Sequence, residues 1–73
     1  MPIVRIDNAE DFVGMELSKA QKEIADRGYD GRLVWVDGRT LVHESLIGSR
    51  VDYDPLRINL HVKAGKVIKA FIA

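Results

Sequence analysis

Polar and apolar side chains alternate most cleanly over Arg57–Lys63. Ile58, Leu60 and Val62 share one parity; Arg57, Asn59, His61 and Lys63 share the other. That period predicts a strand with one covered face. It also puts the Arg57 guanidinium and the Asn59 amide on one side, roughly 6–7 Å apart, directly after a short polar segment. Ala64-Gly65 marks a turn, and Lys66-Val67-Ile68-Lys69-Ala70-Phe71-Ile72 reads as the returning strand of a hairpin.

A helical period precedes these strands. Leu17, Ala20 and Ile24, with Gln21 and Ala25 beside them, form one apolar stripe; Glu16, Lys19, Lys22, Glu23 and Asp26 cover the other face. Glu16 is a poor cap but suits the positive end of the helix dipole. Arg27 supplies a cation near the end and Gly28 a residue able to take the left-handed conformation. Asp30-Gly31 is a further turn signal. Upstream, Ile3-Val4-Arg5-Ile6 fits a short strand or an arm lying on the core, and Asp7-Asn8 caps a turn into residues 9–13.

Downstream, Leu33-Val34-Trp35-Val36 predicts a strand, being rich in β-branched and aromatic residues. Asp37-Gly38 suits a tight hairpin. Thr40-Leu41-Val42-His43 would return from it, and residues 46–50 read as loop. Trp35 is assigned to the core, as large aromatics usually are. The sum is an α+β domain: a single helix packed on a small mixed β-sheet, with an exposed loop.

Composition narrows the function classes. The 73 residues make one domain with a modest core. Eleven basic and eleven acidic residues cancel, which argues against nucleic acid as a partner. No apolar run approaches the about eighteen residues of a membrane span. The first residues carry acids and no apolar core, so no secretory leader is expected. Absence of cysteine fits a cytoplasmic protein that needs no disulfide.

Candidate catalytic and metal chemistry is sparse, and no cofactor is expected. His43 and His61 are the only histidines and lack ligand spacing. His43, Glu44 and Ser45 are neighbours at the end of the expected returning strand, and adjacent strand residues point to opposite faces, so no converging nucleophile–base set is expected and the chain is not read as an enzyme. Gly28-Tyr29-Asp30-Gly31 follows a helix and lacks the lysine of a phosphate loop. Asp37, Asp52 and Asp54 are too few for a calcium ladder. Lys63, Lys66 and Lys69 fit a solvated edge that resists sheet-to-sheet pairing.

The remaining motif is Asp52-Tyr53-Asp54-Pro55-Leu56-Arg57-Ile58-Asn59-Leu60, followed by the turn Ala64-Gly65-Lys66. Together with Phe12-Val13-Gly14, the helix carrying Ala20 and Ile24, and Leu33-Val34-Trp35-Val36, it resembles the potato inhibitor I superfamily of serine protease inhibitors, closest to the bacterial and fungal branch. The resemblance runs from Phe12 to the last residue. It implies a protease-binding loop of Ser49, Arg50, Val51, Asp52 and Tyr53, with Val51 filling the primary specificity pocket and Asp52 following the scissile bond. Arg57 and Asn59 would support that loop from the strand.

The partner implied is a subtilisin-like or chymotrypsin/elastase-like serine peptidase, because Val51 is small and apolar. One departure stands out. Fourteen residues separate Val36 from Val51, a longer connection than the resemblance implies. A second reading follows from it: a non-inhibitory cytosolic interaction module of the same fold, monomer or homodimer, binding another protein through residues 39–50 or a sheet edge.

Overall fold

The structure is a computed structural model that describes residues 5–47 and 53–73. Its elements are α1 (Leu17–Asp26), β1 (Asp30–Val36), β2 (Arg39–Thr40), β3 (Arg57–Lys63) and β4 (Lys66–Ile72), with 3-10 turns at Ala9–Phe12 and Glu44–Leu46. The four strands form one sheet in the order β2-β1-β3-β4. β1 and β3 run parallel; the pairs β1–β2 and β3–β4 are antiparallel. A single helix on a small mixed sheet is the architecture the periodicities predict.

Local chemistry accounts for the element boundaries. Asn8 caps the first 3-10 turn, its side chain accepting from the Glu10 amide at 3.1 Å. Glu16 precedes α1 without a side-chain capping bond. At the other end Gly28 takes φ +81°, its amide reaching the Ala25 carbonyl and the Tyr29 amide the Ile24 carbonyl. That paired closure satisfies two orphan carbonyls and needs a residue free of a Cβ penalty. Arg27 is itself the cap, and its guanidinium lies 5.4 Å from the centre of the Phe12 ring. Asp30-Gly31 does not turn; it opens β1, because closure at Gly28 already redirects the chain.

The core lies between α1 and one face of the sheet. Ala20 and Ile24 of α1 meet Ile58, Leu60, Val62, Val67 and Ala70, with Phe12, Tyr29 and Ile6 closing the flank. Burying Ile24 alone is worth about 1.5–3 kcal/mol. Gln21 and Ala25 lie outside the stripe and are exposed, so the buried face is narrower than the spacing suggested. Residues 3 and 4 of the predicted first strand fall outside the described residues; Ile6 is buried, and its amide donates to the Tyr29 hydroxyl.

Two corrections concern the stretch after the helix. The returning strand covers only Arg39–Thr40, since Leu41 and Val42 both turn their amides to the Val34 carbonyl and leave the ladder. Trp35 is not a core residue. A bulge at Val34 breaks the β1–β3 register, so Trp35 pairs with His61 on the face away from α1. The two rings stack at 6.1 Å, and Phe71 continues the row at 6.0 Å. Among the described residues no helix is long and apolar enough to cross a membrane.

Candidate functional site

Parallel neighbours cannot be joined by a tight hairpin, so the chain must travel the length of the sheet between them. Residues 37–56 make that journey, and the candidate loop belongs to it. Its two ends are well anchored. At the start, Asp37 and Gly38 both take positive φ (49° and 88°), the conformation of a two-residue hairpin turn. The Asp37 side chain also accepts from the Ala64 amide at 2.8 Å, tying this turn to the β3–β4 turn.

Beyond β2 the chain forms the 3-10 turn Glu44–Leu46. Ile47 then meets His61, Lys69 and Phe71 around a shallow hollow of about 230 Å³. Part of the long connection therefore lies over the outer face of the sheet, with Leu41 and Leu46 exposed (50% each). His43 and Ser45 do converge, against expectation, because the divergence of adjacent strand residues does not apply to positions two apart: the His43 Nδ1 lies 2.8 Å from the Ser45 Oγ and accepts from the Ser45 amide at 3.2 Å. The helical turn brings positions two apart together. The imidazole here does the work of an Asn or Asp cap, and with Nδ1 accepting a backbone proton it is occupied as a cap.

The far end of the connection is fixed at Asp54. Its carboxylate accepts from the Leu56 amide at 2.9 Å, and its carbonyl from the Arg57 amide at 3.2 Å. The Asp30 amide donates to the Leu56 carbonyl at 2.8 Å, which ties the root of the connection to the start of β1. Such side-chain-to-backbone closure is what Asp provides in turns.

Directly beneath this root three strands share a polar network. Arg57 donates to the Ala73 carbonyl through Nε (3.1 Å) and Nη2 (2.9 Å). Asn59 Nδ2 donates to the same oxygen at 3.1 Å. On the other side, Arg32 Nε donates to Asn59 Oδ1 at 2.6 Å. Arg32 and Asn59 are register partners across β1 and β3, and Phe71 is the partner of Asn59 on β4. Asn59 is fully buried (0% exposed), although it stands on the face opposite the core. A buried amide is tolerated only with its donors and acceptor matched, and both ends are matched here.

His61 follows Asn59 on the same face. Burial pushes its imidazole below the usual range, and the Lys69 ammonium adds to the shift. Lys69 in turn sits 5.4 Å from the centre of the Phe71 ring.

Of the residues singled out by sequence, Arg57 and Asn59 are brought together, on one carbonyl oxygen. Tyr53 is described and exposed (53%). Ser49, Arg50, Val51 and Asp52 lie outside the described residues. Sequence reasoning passed over Arg32 and Ala73 as members of the network, and Asp54 as the clasp at its root. Asp-x-Leu before a strand was a readable turn signal for Asp54, but no local pattern marks Arg32, whose pairing depends on a parallel register. Among the described residues no group of three or more His, Asp or Glu side chains is arranged to hold a metal ion. No protein-family model matches the chain, and no curated protein or solved structure matches it.

Proposed function

We propose that the chain is a protein inhibitor of serine peptidases, presenting residues 49–53 as a substrate-like segment with Val51 before the scissile bond and Asp52 after it. One observation carries this reading. The side chains of Arg57 and Asn59 converge on the Ala73 carbonyl directly under the point where the connection enters β3. The reading follows the resemblance to the potato inhibitor I superfamily, in which a loop supported from the sheet enters the peptidase as substrate would.

The physical logic is one of rigidity. An inhibitor that binds like substrate must resist turnover. A segment already held in its bound shape loses little conformational entropy on binding, and its cleaved ends stay close enough to rejoin. Arg57 is suited to this support, because its planar fork offers several fixed donors and remains charged at all relevant pH. Val51 would select a pocket for small apolar side chains, and no cofactor takes part.

The experiment is an inhibition panel of subtilisin-like, elastase-like and trypsin-like enzymes, run with the parent chain and Val51→Lys. Inhibition of the first two, redirected toward trypsin by the lysine, is the expected result. A parent that leaves every enzyme fully active, or a profile unchanged by Val51→Lys, refutes it.

The second reading, a non-inhibitory module that binds another protein, has its own support. Residues 39–47 form ordered structure with Leu41 and Leu46 half exposed, as an interaction surface would be. A parent chain without effect on peptidases, together with a partner or self-association lost in Leu41→Ser/Leu46→Ser, would favour it.

A further inference from the structure

Arg32 belongs to β1, and its Nε donates to Asn59 Oδ1 at 2.6 Å, the shortest of the side-chain bonds described above for the polar network. Its chemistry matters because an amide has two nearly isosteric ends. Asn59 can in principle turn either its oxygen or its NH₂ toward Ala73. Only the NH₂ end satisfies the Ala73 carbonyl; the oxygen would face another acceptor. A guanidinium can donate but never accept, so Arg32 admits the Asn59 oxygen alone and sends the NH₂ group to the other side.

We propose that Arg32 is a positioning residue for the candidate inhibitory segment. It locks the Asn59 amide, and through the shared Ala73 carbonyl it holds the Arg57 guanidinium under the root of the connection. This inference rests on the inhibitor reading for its consequence, and on the described hydrogen bonds for its mechanism. β1, β3 and the residue that follows β4 are thereby tied at the end of the sheet where residues 53–57 enter β3. The Asp30 amide bond to the Leu56 carbonyl lies two residues from Arg32 on the same strand, so backbone and side chain of β1 hold the same root.

The test is limited proteolysis with subtilisin, reading cuts within residues 48–56 by mass spectrometry, alongside thermal melts and residual subtilisin activity. Arg32→Met keeps the aliphatic bulk and drops the donor. Arg32→Lys restores a cationic donor. Val67→Ala, in the core at the opposite end of β4, is the control for a general loss of stability. Cleavage of the connection about tenfold faster in Arg32→Met than in the parent, beyond that of Val67→Ala, is expected. Arg32→Lys should return to within about threefold of the parent.

Arg32→Met cut no faster than Val67→Ala, or Arg32→Lys no better than Arg32→Met, overturns the proposal. Side-chain NMR of the parent gives a measurement that needs no variant. Slow solvent exchange of the Arg32 Nε proton and of both Asn59 Nδ2 protons supports the lock; fast exchange of either overturns it. Residual subtilisin activity is a separate readout. A parent that fails to depress it removes the inhibitor reading, while the cleavage ratios still decide the role of Arg32.

Discussion

Replacing Asn59 by alanine tests the polar network at its centre. The side chain is completely buried and makes one bond on each side, to Arg32 Nε and to the Ala73 carbonyl. A hydrogen bond to a charged group contributes about 1.5–3 kcal/mol, and a neutral one about 0.5–1.5 kcal/mol. Arg32 is only half-buried, so water can recover part of its loss, and Arg57 stays within reach of the Ala73 oxygen although the Asn59 amide no longer fixes that oxygen beneath it. The net expectation is a loss of about 2–3 kcal/mol. A domain of this length holds about 4–11 kcal/mol in total, so the loss is a large share. It corresponds to a fall in Tm of about 10–20 °C. Urea unfolding followed by the fluorescence of Trp35, the single tryptophan, measures it; the midpoint should fall with the slope unchanged. In a double-mutant cycle with Arg32→Met the two losses should fail to add by about 1 kcal/mol or more. A loss below about 1 kcal/mol, or additive losses, would show that the network contributes little and that Asn59 is only a space-filling residue.

Arg57→Ala should turn a resistant chain into a slowly cleaved substrate, seen by mass spectrometry as a cut after Val51 during incubation with subtilisin; an uncut chain of unchanged affinity rejects the support role. Acidification should weaken the fold through His61. Its folded pKa lies below the usual 6.5, so the unfolded chain binds the proton more tightly, and stability present above about pH 6.5 is lost as pH falls through the lowered value. Thermal melts across that window should show the slope in the parent and a smaller one in His61→Gln; equal slopes place the effect elsewhere. Ala64 sits in the β3–β4 turn with φ +52°, a conformation L-residues with a Cβ resist. Ala64→Asn gives the Asn-Gly pair favoured in such turns and should raise stability by about 1 kcal/mol in urea unfolding; no gain would mean the strain is absent.

The chain's own pattern determined much of this protein. Period two over residues 57–63 and the glycine turn at Gly65 delimited β3 and β4 as they are found. The stop at Gly28 and the Asp37-Gly38 turn were equally legible, because each depends on bonds between residues a few positions apart. The helix stripe was legible at Leu17, Ala20 and Ile24 and overextended at Gln21 and Ala25, whose exposure depends on how α1 is rolled against the sheet.

Tertiary structure alone decided the rest. Parity put Asn59 opposite the core beside Arg57; the neighbouring strands and the Ala73 carbonyl made it the most buried polar residue described. Trp35 left the core because a bulge shifted its parity, and a bulge costs one residue without leaving a mark in composition. Arg32 reached Asn59 across a parallel register that joins positions 27 apart. Local sequence fixes torsions and short-range bonds, whereas a register between distant strands is chosen by the packing of the whole sheet, and the candidate site is built on that register.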